Sequence, residues 1–168
     1  MSLRLRPLRI SDEAEARAAH EELEADAFSF LLDWDPASPW AEYVQQREDH
    51  RRGVRVPPGR VPSTFLVAVC GEQLVGRVSV RHELNEFLAH VGGHVGYAVR
   101  PRHRGRGHAT EILRQALIVA RSQGVEDVLV TCDEPNAASA AVIERVGGVL
   151  EDVRVDADGV RKRRYWVR

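Results

Sequence analysis

The run Val99-Arg100-Pro101-Arg102-His103-Arg104-Gly105-Arg106-Gly107-His108-Ala109-Thr110 joins an apolar, β-branched stretch to an amphipathic one that opens with Glu111-Ile112-Leu113. It predicts a strand, a tight basic loop and a helix in immediate succession. A helix start leaves four backbone N–H groups without intrahelical partners and carries partial positive charge. Glycine lets such a backbone come close to an anion, and successive loop amides form a concave nest for it. Arg102, Arg104 and Arg106 add formal positive charge. The loop therefore predicts a phosphate site, best suited to a pyrophosphate, at a helix N-terminus.

Neither common nucleotide fingerprint is present. The loop lacks the lysine and hydroxyl residue of G-x-x-x-x-G-K-S/T, and it has no G-x-G-x-x-G. Arg104-x-x-Gly107-x-Ala109 instead resembles the R-x-x-G-x-G/A signature of the GNAT N-acetyltransferase superfamily, whose members bind the pyrophosphate of acetyl-CoA with it.

Working outward, the pattern gives one element after another. Leu3–Leu8 alternates as a first strand. Ser11 before Asp12-Glu13-Ala14-Glu15 predicts a capped helix running to about Glu24. Phe28–Trp34 is an aromatic loop, and Ser38-Pro39-Trp40 opens a second helix to about His50. Val56–Ser63 is rich in breakers. Thr64–Cys70 and Leu74–Val80 form a hairpin around Gly71-Glu72. Val91–Val99 is a strand in which Gly92-Gly93 and Gly96 predict a bulge. Gly107–Gln123 is a helix with Ile112, Leu113, Ala116, Leu117 and Ala120 on one face and Gly124 at its end. Val125–Cys132 is a strand, and Asn136–Val146 a helix stopped by Gly147-Gly148. Val149–Val155 and Arg163–Val167 are strands joined by an Asp156–Gly159 turn. The order β-α-α-β-β-β-α-β-α-β-β is also that of the GNAT superfamily. The resemblance covers nearly the whole chain, strongly from Thr64 to Leu150 and weakly before residue 60. It implies an α/β (α+β) fold with a mixed, mostly antiparallel, centrally splayed sheet of about seven strands flanked by about four helices. Residues 1–168 then form a single domain, with an acceptor lobe at about 11–60 and an acetyl-CoA core at about 64–150.

The remaining composition narrows the class. The 168 residues suit one domain with a proper core. No apolar run reaches the roughly 18 residues that span a bilayer, and the N-terminus has no secretion-signal pattern. Cys70 and Cys132 lie far apart without metal-like spacing, which predicts a reducing, cytoplasmic setting. The seven histidines show no HExxH or paired Cys/His pattern, so no metal site is expected. A net charge of -1 argues against a nucleic-acid partner. Residues 11–49 carry twelve acidic side chains against Arg17 and Arg47. An acidic acceptor lobe would concentrate a cationic amine, although charge runs are also commonly solvated faces.

The resemblance implies roles residue by residue. Pantetheine lies in the gap between two splayed strands, where it satisfies unpaired backbone amides as an added strand would. Tyr97, Ala98 and Val99 would line that gap, and Arg104, Gly105, Arg106, Gly107, His108 and Ala109 would hold the pyrophosphate. Asn136-Ala137-Ala138-Ser139 resembles the family's N-x-x-A/S helix start, in which the asparagine both caps the helix and contacts the cofactor. Many relatives carry a tyrosine seven residues later as the acid for the thiolate. This chain has Ile143 there, and Tyr97 is the available substitute. For the base, His94-Val95-Gly96-Tyr97 resembles the E-I/V-G-Y of ribosomal-protein acetyltransferases, placing an imidazole of ordinary pKa about 6.5 where they place a carboxylate. A core hydrogen-bonding role for His94 fits equally well. His82, Glu83 and Asp133 are weaker candidates, and Cys132 reads as a buried strand residue. The implied activity is direct attack of a primary amine (a small cationic amine, a peptide N-terminus or a lysine) on acetyl-CoA, by a monomer or homodimer. A non-catalytic acyl-CoA sensor is the alternative that the missing tyrosine keeps open, and a different nucleotide-binding enzyme is the third.

Overall fold

The computed structural model describes residues 2–168. Its elements are β1 (Leu3–Pro7), α1 (Glu13–Glu24), α2 (Trp40–Arg51), β2 (Ser63–Cys70), β3 (Gln73–Arg81), β4 (Val95–Val99), α3 (His108–Ser122), β5 (Val128–Asp133), α4 (Ala137–Arg145), β6 (Val149–Val155) and β7 (Arg161–Val167). The seven strands form one sheet in the order β1-β2-β3-β4-β5-β7-β6. All neighbours are antiparallel except β4 and β5, which are parallel and share a single residue pair, Val95 with Val130. Each of these two strands is fully paired on its other edge, to β3 and to β7. The sheet is thus splayed at its centre, as the resemblance implies. No helix among the described residues is long and apolar enough to cross a membrane.

Strand alternation sends side chains to two cores. Val78, Val80, Val95, Val99, Val128 and Val130 pack with the apolar stripe of α3 (Ile112, Leu113, Ala116, Leu117, Ala120) and with Ala140 and Ile143 of α4. Phe65, Val67 and Val69 turn to the opposite face, against Ala16, Ala19 and Leu23 of α1 and Trp40 and Tyr43 of α2. Helix α3 ends as its glycine predicts. The N–H groups of Gly124 and Val125 bond Arg121 O and Ala120 O at 3.0 Å, which satisfies carbonyls the helix leaves over.

Three local expectations are corrected. Ser11 does not cap α1; a turn of 3-10 helix at Ile10–Asp12 precedes the helix, and Asp12 accepts the Arg9 N–H at 2.8 Å while pairing with Arg6 at 2.7 Å. The carboxylate wins because it satisfies a backbone donor and a cation together. Residues 91–94 are not strand: a π-helical turn, Leu88–Gly92, comes first, and β4 starts only at Val95. Gly93 (φ +68°) explains the break, since a Cβ there would stand 2.7 Å from Leu129 O. Nor is there a bulge at Gly92, Gly93 or Gly96. Gly96 pairs regularly with Ser79, and register shifts fall instead at Ala68/Val69 and Leu150/Asp152.

His94 sits at the closed apex of the splay. Its backbone N–H bonds Leu129 O at 2.7 Å, and its Nδ1 accepts the Leu129 N–H at 2.9 Å. The backbone carbonyl accepts the Arg81 N–H at 2.7 Å. One residue thereby ties β3, β4 and β5 together. The side chain is buried, and burial, with the Arg81 charge second, lowers its pKa from 6.5 to about 4. An Nδ1 lone pair already engaged with an amide cannot take a proton without losing that bond. The geometry gives His94 a clasping place, the core hydrogen-bonding role that stands beside the base as a reading of this residue.

Two outcomes follow for stability. Ile143 is fully buried, so Ile143→Ala should cost roughly 2–5 kcal/mol in urea unfolding; a smaller cost would mean that the α4 contact closes over the cavity. The stability that neutral His94 contributes is complete above 6.5 and is lost as pH falls toward about 4. His94→Ala should therefore unfold more easily at pH 7 and show a shallower loss between those values. An unchanged pH slope would refute the clasp.

Candidate active site

The basic loop is built as its sequence predicts. Pro101–His103 forms a 3-10 turn, and Gly105 (φ +73°) and Gly107 (φ +79°) both adopt the left-handed conformation that other residues resist. No atom lies within 4 Å of where a Cβ would stand on either glycine, so the backbone there faces open space. The Glu111 N–H to Gly107 O bond, 3.2 Å, begins the α3 ladder. The amides of His108, Ala109 and Thr110 come before it and remain for an external acceptor. Arg104 and Arg106 are exposed. Arg104 donates Nε to Val99 O at 3.1 Å and pairs through Nη2 with Asp26 at 2.5 Å. An anion bound at the loop must compete with that carboxylate.

Arg100 belongs to the scaffold. It is buried, and its guanidinium bonds Glu22 at 2.9 and 2.6 Å, Glu15 at 2.6 Å and Leu74 O at 3.0 Å. This cluster fastens α1 to the end of β4. The Arg100 contact holds the Glu22 carboxyl below its usual value.

Beyond Val95 and Val130 the strands part, leaving backbone groups of Tyr97, Ala98 and Val99 along one wall of the gap and those of Cys132 and Asp133 along the other. The Tyr97 hydroxyl shares a hydrogen bond of 2.8 Å with Ser139 Oγ, bridging β4 to the start of α4. Burial raises the Tyr97 pKa, against the opposing effect of Ser139, so the phenol stays protonated at neutral pH. Asn136 caps α4 by accepting the Ser139 N–H at 3.1 Å, which leaves its side-chain amide donors uncommitted. Cys132 is buried, and burial pushes its thiol pKa up. Ile143 packs in the core.

Two of the three weaker base candidates are otherwise engaged. Asp133 pairs with Lys162, and His82 Nε2 shares a 2.7 Å bond with Thr64 Oγ1. Burial lowers the His82 pKa. Glu83 is exposed.

The acidic block proves to be largely spent. Asp12, Glu13, Glu15, Glu22, Asp26, Asp33, Glu48 and Asp49 all pair with arginines. The pairing reduces the negative charge of this lobe without removing it, since Glu21, Glu24, Asp35 and Glu42 meet no arginine among the described residues. Two arginines that the sequence pattern did not single out stand on the same face. Arg77 is buried and donates to Phe30 O (3.1 Å), Ser29 O (2.6 Å) and Gly96 O (3.0 Å), fastening the aromatic loop over β4. Burial lowers its pKa to about 9. Arg81 lies against Gly96, its Nη1 3.3 Å from a Cβ built there, and reaches Gly92 O and Gly93 O only at 3.4 Å. Burial, then Arg60, lowers its pKa to about 10. Their signal was the polar alternation Arg77-x-Ser79-x-Arg81 inside an apolar strand.

This architecture recurs in solved structures. Mycobacterium smegmatis RimJ, in complex with a CoA disulfide, superposes with a TM-score of 0.71 at 18% identity, over 98% of this chain and 81% of that one. RimL, a ribosomal L7/L12 alpha-N-protein acetyltransferase in complex with coenzyme A, gives 0.69 at 20%, over 99% and 94%. The ribosomal-protein-S5-alanine acetyltransferase of Vibrio fischeri gives 0.70 at 18%, over 99% and 93%. At such identities the likeness is one of fold. No curated protein sequence matches the chain. Residues 2–149 match the family model of the acetyltransferase (GNAT) domain, and with nearly the whole chain inside that match, the protein belongs to the GNAT acetyltransferase family.

Proposed function

We propose that this protein transfers an acetyl group from acetyl-CoA to a primary amine by direct attack, with 1–168 acting as one domain, an acceptor lobe at about 11–60 and a cofactor core at about 64–150. One observation carries it: the β4–β5 gap opens toward the left-handed glycine loop and the bare N-terminus of α3. A gap lined by strand-edge amides suits an extended pantetheine arm, and the loop suits its pyrophosphate.

In this proposal Arg104, Arg106 and the backbone from Gly105 to Ala109, His108 included, hold the pyrophosphate. Backbone groups at Ala98 and Val99 receive the pantetheine, and the free amide donors of Asn136 contact the cofactor. Tyr97 is the acid. Its protonated hydroxyl, oriented by Ser139, gives a proton to the departing thiolate and so replaces the tyrosine that Ile143 displaces. The amine sheds its own proton to solvent, since His94 and Asp133 are both engaged elsewhere.

The test of the activity is release of free CoA from acetyl-CoA across an amine panel. Saturable acetyl-CoA binding with no CoA released by any amine would identify an acyl-CoA sensor instead. Arg104→Ala combined with Gly107→Val should weaken acetyl-CoA binding roughly 10-fold or more in calorimetry, because a charge-assisted hydrogen bond contributes about 1.5–3 kcal/mol. Unchanged affinity in a folded double variant would refute the pyrophosphate site. Tyr97→Phe should lower kcat by about 10²–10⁴-fold while leaving acetyl-CoA affinity almost unaltered. Turnover equal to wild type would remove the acid role.

A further inference from the structure

The β4–β5 gap can be approached by a second molecule from one face of the sheet only. Val95, Tyr97 and Val99 of β4 and Val130 and Cys132 of β5 pack toward α3 and α4, which closes that face. The alternate β4 residues, Gly96 and Ala98, turn to the α1/α2 side, where Ala98 joins the other core. Gly96, directly after the Val95–Val130 pair, has no side chain to obstruct entry. It pairs with Ser79 of β3, and alternation brings Ser79 and Arg81 to its face while Val78 and Val80 enter the α3 core. The Arg81 guanidinium covers the glycine. Its Nη1, Nη2 and Cζ stand 3.3, 3.4 and 3.6 Å from where a Cβ would be. Both residues are half-buried.

Arg81 is incompletely satisfied on this face. Only Nη1 is engaged, by the long 3.4 Å contacts to Gly92 O and Gly93 O. Nε and Nη2 have no hydrogen-bond partner among the described residues. They are not sealed from solvent either, in contrast to Arg47 Nε and Nη2 and Arg164 Nε. The Ser79 hydroxyl beside them is likewise unpartnered and open. No carboxylate among the described residues pairs with Arg81; the charge that bears on it is that of Arg60, already matched by Asp33. The other cation of this face, Arg77, is buried and bonded to three carbonyls, so a single charge is on offer. Nε and Nη2 form the side-on edge of a guanidinium, two parallel donors that match the two oxygens of a carboxylate. A half-buried cation of this kind is costly until an anion pairs with it.

We infer that Arg81 binds a carboxylate over Gly96, and that this carboxylate belongs to the acceptor, which carries amine and acid close together as a free amino acid does. In an amino acid the two groups share one carbon. A carboxylate held at Arg81 therefore brings the amine to the first unpaired position of β4, next to Gly96. Arg81 is in this way a specificity-determining residue. The nature of the acceptor rests on the proposed transferase function; the carboxylate site does not.

The experiment has two arms on the full chain. In the first, free amino acids and their carboxamides are compared for CoA release by wild type, Arg81→Met and Arg81→Lys. The acids should have lower KM than their amides in wild type. Arg81→Met should raise KM for the acids by roughly 10-fold or more, the usual consequence of losing a charge-assisted hydrogen bond, and leave the amides almost unaltered. Arg81→Lys keeps the charge and loses the paired donors; it should fall between, and it carries the test if the methionine variant does not fold. In the second arm, propionate, propionamide and inorganic phosphate are titrated without acetyl-CoA while the Gly96 and Tyr97 amide signals are followed by NMR. Propionate should move them saturably in wild type and bind Arg81→Met more weakly by a similar factor, and propionamide should not bind. Acids and amides with equal KM in wild type, an equal rise for both in the variants, or tighter binding of phosphate than of propionate would overturn the inference. Arg81-dependent propionate binding with no CoA release from any amine would uphold the carboxylate site and overturn the transferase function alone.

Discussion

β4 and β5 are held together at Val95 and Val130 and nowhere beyond. A parallel pair of this length would ordinarily form a continuous ladder, and unpaired buried backbone groups cost about 1–3 kcal/mol each when nothing replaces their partners. The gap persists because its apex is over-determined. His94 bonds Leu129 through both its backbone and its ring, and the Thr131 hydroxyl donates to Val91 O at 2.8 Å. The outer edges of both strands are anchored to β3 and β7. Opening toward the α3 N-terminus is then the one direction in which the strands can diverge, and the centre of the sheet takes its form from that.

The second organising feature is where charge ends up. Arginines at the periphery are paired: Arg6, Arg17, Arg51 and Arg60 each meet a carboxylate. Arg100 pairs too, though buried, and so welds α1 to the end of β4. Arg77 instead meets carbonyl oxygens, and Arg47 lies over the Tyr43 ring with its Nε and Nη2 unbonded. Carbonyl dipoles hold a guanidinium in place without neutralising it, so the α1/α2 side of the sheet keeps a positive interior beneath an acidic-looking surface. Counting charges along residues 11–49 misses this, because several of the arginines that pair with the block lie far along the chain: Arg60, Arg100 and Arg104.

The element order, the basic glycine loop, the Asn136 cap and the stripe of α3 were legible in the sequence, since each is governed by residues within a turn or two of one another. Periodicity, capping and glycine placement are local constraints that tertiary packing had no reason to override. His94 was different. Its type and its place before Gly96-Tyr97 suited a base, yet its proton affinity depends on an amide 35 residues away and on burial between strands. The end of the strand at Val95 likewise depended on how closely Gly93 approaches Leu129. Pairings across such separations, and the burial that sets a pKa or strands an arginine, exist only once the chain has folded. The sequence alone therefore determined the fold and the basic glycine loop, while the tertiary structure decided which titratable groups remain free to do chemistry.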